Sequence, residues 1–151
     1  LLAVDWEPTS SDPDNFMPAV ELGGFIRRVV ARTGKPILVY SYENFLKARR
    51  GDIAERPGLW ELLGSQPLWV AGLRAGGGGL LRDGSGPVLE GLPWRSFVLW
   101  QYTDGDRSAT SLLPESRIDG QPIDRNAFNG SRSSLDAFMR AHVWDCVYRG
   151  R

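Results

Sequence analysis

Two acids spaced two residues apart close the first apolar run of the chain, where Leu1 to Val4 is followed by Asp5, Trp6 and Glu7. Side chains alternate along a strand, so Asp5 and Glu7 point to one side and Trp6 to the other. Strand rise puts the two carboxylates ~6.7 Å apart. At an effective dielectric of ~20 they repel by about 2.5 kcal/mol, nearly two pKa units. One acid then ionises normally while the other keeps its proton near neutral pH. Glycoside hydrolysis needs that division, an acid to protonate the leaving oxygen beside a charge that stabilises the positive transition state. Glu7, with the higher reference pKa and longer reach, is the better acid, and Asp5 is its charged partner. The same spacing also describes a solvated loop start. Tyr40, Trp69, Trp100 and Tyr102 lie in or at the end of later β-prone runs. Aromatic rings pack against the apolar faces of sugars while their polar tips bind hydroxyls; any one of these four taken alone is equally ordinary core.

The composition leaves acid/base work to carboxylates. The chain has 151 residues, 42% of them apolar, which fits one globular domain with a sizeable core. Lys plus Arg number 18 and Asp plus Glu 18, so the net charge is zero, and there is no basic excess to neutralise a phosphate backbone. Nucleic acid is not an expected partner. With one histidine, His142, and one cysteine, Cys146, a Cys/His zinc cluster, an intrachain disulfide and any two-histidine site are excluded by counting. No apolar run approaches the ~20 residues needed to span a bilayer, and no leader pattern opens the chain, so no membrane partner is expected. Asp104, Asp106, Ser108 and Glu115 fall on calcium-loop positions, but Ala109 stands where that loop needs glycine. Gly76 to Gly79 lacks the Gly-Lys-Ser/Thr ending of a phosphate loop. Neither metal nor cofactor is expected, and Ser41 and Ser65 lack a histidine to activate them.

The acid pair ends a strand that the later elements must hold in place. The polar stretch 8–15 reads as loop, and Leu22, Ile26, Val29 and Val30 recur at helical spacing within a helix from about Phe16 to Arg32. Thr33-Gly34 and Pro36 stop it, while Gly23 and Gly24 weaken its first half. Ile37 to Tyr42, Leu68 to Leu73 and Phe97 to Tyr102 read as further strands, with short helical pieces at Asn44 to Arg50 and Gly58 to Gly64. Arg74 to Pro93 is loop by its glycines and prolines. A weaker strand at Pro122 to Arg125 leads to a final helix at about Ser134 to Val147, with a stripe of Leu135, Phe138, Met139, His142 and Cys146 expected to face the core. Continuous apolar strands separated by helices or long loops predict an α/β fold with parallel strands covered on both faces.

Five blocks of the chain, in order and rough spacing, carry a family resemblance. Leu2-Ala3-Val4-Asp5-Trp6-Glu7, Ile37-Leu38-Val39-Tyr40-Ser41 and Pro67-Leu68-Trp69-Val70-Ala71 are followed by Trp94 to Asp104 (WRSFVLWQYTD) and Ile123 to Gly130 (IDRNAFNG). Together they resemble the family 25 glycoside hydrolases, lysozymes of the kind found in phage endolysins and secreted muramidases. The resemblance covers nearly the whole chain. It implies a modified β/α barrel of the TIM type that cleaves the β-1,4 bond between N-acetylmuramic acid and N-acetylglucosamine in peptidoglycan. It further implies Glu7 as general acid/base, Asp5 as its partner carboxylate, Asp124 as an aspartate of the last strand, and Tyr40, Trp69, Trp100 and Tyr102 as lining of the sugar groove. The glycan strands would be the partner, and action would be extracellular or on the cell wall. Asp119 also follows an isoleucine and rivals Asp124, but Phe128 and Asn129-Gly130 beyond Asp124 fit the family's pattern.

The chain departs from that family at its start. The family opens with a strand bearing an aspartate and a glutamine-glycine motif and has two further strand and helix units before the acid pair. None of these is present, and a run that begins Leu1-Leu2-Ala3-Val4 without methionine suggests that the beginning is missing. The strands here would be about the fourth to eighth of a barrel that in general needs ~250 residues. Two expectations follow: weakened catalysis without the first aspartate, and open barrel edges through which copies could associate. The alternative is a non-catalytic glycan-binding remnant. Retention or inversion is left open by the sequence, since it depends on the distance between carboxyl groups.

Overall fold

Four short runs of apolar, β-branched and aromatic residues pair side by side as parallel strands: β1 (Ala3–Asp5), β2 (Leu38–Tyr42), β3 (Leu68–Ala71) and β4 (Leu99–Thr103). The structure, a computed structural model, describes residues 1–9, 11–72, 86–104 and 117–142. After β1 come α1 (Ala19–Thr33) and β2, then three short helices, α2 (Glu43–Ala48), α3 (Arg50–Ala54) and α4 (Leu59–Gly64), before β3. Beyond β4 lie β5 (Arg117–Ile118), β6 (Gln121–Pro122), β7 (Arg125–Phe128) and α5 (Arg132–His142). The class is α/β, with a five-stranded sheet in the order β1-β2-β3-β4-β7.

The last strand departs from the all-parallel sheet that the sequence predicts. β7 runs antiparallel to β4, pairing Leu99 with Phe128 and Trp100 with Ala127. The single strand predicted at 122–125 divides in two. Gln121–Pro122 pairs with Arg117–Ile118 in a separate hairpin, and Arg125–Phe128 joins the main sheet. Asp119 (φ 50) and Gly120 (φ 77) make the turn of that hairpin, the two left-handed residues that a tight hairpin needs.

The main core lies between one face of the sheet and α1 to α4. Val4, Trp6, Val39, Leu68 and Val70 from the strands meet Leu22 and Ile26 of α1, Phe45 and Leu46 of α2, Ile53 of α3 and Leu59 and Leu63 of α4. Gly34 ends α1 in the left-handed conformation (φ 65), and its N–H reaches Val30 O, as the glycine stop signal predicts. Gly23 lies where α1 crosses α4; a Cβ there would stand 2.9 Å from Leu59 Cδ1.

The final helix also differs from expectation. Its periodicity predicts a core-facing stripe, yet α5 has no buried residue: Leu135, Phe138 and His142 are half-buried and Met139 is 40% exposed. Phe138 stacks on His142 at 4.1 Å, and Lys35 Nζ donates to Ala141 O at 2.6 Å, tying the helix end to the segment before β2. Cys146, the glycine run 76–79, and Asp106, Ser108 and Glu115 of the calcium-like pattern lie outside the described residues.

Candidate active site

Trp6 orients the acid pair. Its side chain is buried beneath the sheet, edge-on to Phe45 at 5.2 Å, with the indole N–H donating to Met17 O at 2.8 Å. Its backbone N–H donates to Tyr40 O at 2.9 Å, and its carbonyl accepts from Ser41 Oγ at 2.7 Å. With Trp6 fixed inward, strand alternation turns Asp5 and Glu7 to the opposite face. The helices α1 to α4 pack on the other face, and both acids stand at the C-terminal ends of the parallel strands.

Register then decides which later residues join them. Asp5 pairs with Tyr40, Tyr40 with Trp69, Trp69 with Leu99, and Gln101 with Asn126. Side chains in register share a face, so Asp5, Tyr40, Trp69 and Leu99 form one row across the sheet, and Gln101 and Asn126, two residues further along β4, pair on that same face. Tyr40 and Trp69 meet edge to face, with ring centroids 4.9 Å apart at 68°. The Tyr40 hydroxyl donates to Gln101 Oε1 at 2.8 Å, and Trp69 Nε1 donates to Asn126 Oδ1 at 2.7 Å.

Trp100 and Tyr102 do not reach that face. The family resemblance implies both in the same groove, but Trp100 is in register with Val70 of the core face, and Tyr102 is buried with its ring against that of Trp100. Trp100 is fully buried, its indole N–H donating to Gly72 O at 2.9 Å, and Tyr102 is buried beside it at 6.0 Å between rings. Here they are core, and the groove reading divides: Tyr40 and Trp69 stand with the acids, Trp100 and Tyr102 behind them. Gln101 and Asn126 are not singled out by the sequence reading. A signal for the first exists in the run Leu99-Trp100-Gln101, where placing Trp100 in the core puts Gln101 on the opposite face.

The electrostatics set the two acids apart from ordinary surface carboxylates. Partial burial raises the Asp5 pKa, although the residue keeps contact with solvent. Burial also raises that of Glu7, and the neighbouring Asp5 charge raises it further. Both effects favour the protonated form. The Tyr40 phenol is pushed up by burial and by the charges of Glu7, Asp5 and Asp124, so it stays neutral through the physiological range. Asp124 thus lies within electrostatic reach of Tyr40, while its rival Asp119 occupies the exposed hairpin turn. Among the described residues no group of three or more His, Cys, Asp or Glu is gathered to hold a metal ion.

A groove of about 700 Å³ opens elsewhere, at the N-terminal ends of the strands, between Trp60, Gln66, Trp94, Phe138 and His142. It contains neither acid of the pair. Among the described residues no helix is long and apolar enough to cross a membrane. Comparison with protein-family models, with curated proteins and with solved structures gave no match to this chain.

Proposed function

We propose that this chain is part of a glycoside hydrolase acting on peptidoglycan, a lysozyme of the muramidase type, with Glu7 as general acid/base and Asp5 as the charge beside it. One observation carries the reading: two acids with raised pKa values share one face of the sheet, at the strand ends, with a paired tyrosine and tryptophan. Protonated Glu7 would donate to the glycosidic oxygen as the bond from the anomeric carbon breaks and its electrons leave with that oxygen. Asp5 would stabilise the positive charge left on the sugar. A water molecule would then add to the anomeric carbon and return a proton to Glu7. Asp124 would add negative charge from across the sheet, and Tyr40 and Trp69 would pack against a sugar ring. The accompanying fold reading is a segment of a β/α barrel, supported by four parallel strands with helices gathered on one face. Its target places the action outside the cell, on the wall.

The test is clearing of purified peptidoglycan, with release of reducing ends, by the chain and by Glu7→Gln. Clearing that disappears in Glu7→Gln is the expected outcome. The second reading, a glycan-binding remnant, is favoured by the fixed Tyr40–Trp69 pair. It requires that the folded chain retain glycan, that neither form release reducing ends, and that Trp69→Ala abolish retention.

A further inference from the structure

Tyr40 is half-buried beside three acids, and it has a single hydrogen to donate. That hydrogen goes across the sheet to Gln101 Oε1 at 2.8 Å, on a side chain that is itself buried. Trp69 fills the space between β2 and β4 edge-on to the Tyr40 ring, and its own N–H is held by Asn126. The phenol is therefore fixed both by packing and by its acceptor. We propose that Gln101 is a positioning residue: it holds the Tyr40 hydrogen away from the acid pair that shares the Tyr40 face.

The chemical consequence comes from what the hydroxyl would otherwise do. The charged groups acting on Tyr40 are Glu7 and Asp5 at the end of β1 and Asp124 before β7, all of them acids. Without Gln101 as acceptor, the half-buried hydroxyl can turn to another, and the carboxylates of its own face are stronger acceptors than water. A hydrogen bond donated to ionised Glu7 would favour its charged form and draw its pKa down. Gln101 thus protects the proton on which the proposed acid step depends. The inference rests on reading Glu7 as that acid, but it is measurable without substrate.

The experiment is a carboxyl-carbon NMR titration of Glu7 in the intact chain and in three variants. Gln101→Met removes the acceptor at similar volume and is expected to lower the Glu7 pKa by about one unit, the effect of one charge-assisted hydrogen bond. Adding Tyr40→Phe to it should restore the parent value, because the redirected hydrogen is then gone. Tyr40→Phe alone, a substitution that keeps the ring, should leave Glu7 within about 0.3 units of the parent, which is small beside that shift. A rise in Tyr40→Phe would mean that Tyr40 already donates to Glu7, and it overturns the proposal even if Gln101→Met fails to fold. An unchanged Glu7 in folded Gln101→Met also overturns it. Failure of the chain to hydrolyse peptidoglycan would defeat the proposed function while leaving the outcome of this titration unaffected.

Discussion

Glu7 and Asp5 couple function to stability in opposite directions. Both have folded-state pKa values raised by burial, so the native protein holds their protons more tightly than the unfolded chain does. Stability from such a group is complete below the ordinary carboxylate range and is lost as pH rises from there through the raised folded value. Glu7→Gln removes that loss. It is expected to melt above the parent at neutral pH and to converge with it near pH ~3, where both carboxyls are protonated in either state. Melting below the parent at neutral pH would contradict desolvation as the cause. On the proposed reading of Glu7 as general acid, the same substitution should cut hydrolysis by at least ~10²-fold. The two rival aspartates separate in the same assay. Asp124→Asn should slow hydrolysis at least about tenfold by removing a fixed charge near the site. Asp119→Asn, which tolerates the left-handed turn, should leave it unchanged. Equal effects would remove Asp124 from the site.

The acid pair is only as well placed as the elements behind it, and α1 is the longest of these. Its two adjacent glycines have different jobs. Gly23 is buried where α1 meets Leu59 of α4, whereas Gly24 is exposed with nothing within 4 Å of a Cβ. Gly24→Ala should therefore stabilise by about 0.5–1 kcal/mol through lost unfolded-chain freedom and better helix propensity. Gly23→Val should destabilise by about 1–3 kcal/mol by forcing the helices apart. Urea denaturation measures both, and changes of the same sign would mean that α1 does not press on α4. Trp6 matters more directly, because it anchors the strand that carries the acids. Trp6→Ala should cost about 3–5 kcal/mol and release both carboxylates from their common face.

The sheet as described has two open edges, β1 on one side and β7 on the other. Leu2 O and the Trp6 N–H bond to β2, so by the alternation of a parallel pair the backbone groups of Ala3 and Asp5 face outward. Among the described residues no strand pairs with that outward row, and such a row is a template for another strand. Self-association through β1 is the expected result, seen in sedimentation as a mass that rises with concentration above the 16.8 kDa of one chain. Ala3→Pro deletes an outward donor and should weaken the association while leaving β1 on β2. An unchanged monomer at every concentration would show that this edge does not recruit a partner copy.

Much of this was legible in the chain because it depends on neighbours in sequence. The strand runs, the helix stop at Gly34 and the common direction of Asp5 and Glu7 follow from periods of 2 and 3.6 and from the φ freedom of glycine. Alternation, however, gives only the relative sides of successive residues. The absolute side is chosen by what packs against the sheet, and Trp6 on Phe45 and Trp100 beneath Gly72 made that choice. It sent Trp100 and Tyr102 to the core and brought Gln101 to Tyr40 and Asn126 to Trp69. The reversal of β7, the preference for Asp124 over Asp119 beside Tyr40 and the exposure of α5 likewise rest on contacts between segments far apart in the chain. Local sequence thus determined which residues could do acid/base chemistry, and the tertiary structure decided which of the others stand beside them, because burial is a property of the packed molecule and not of any one segment.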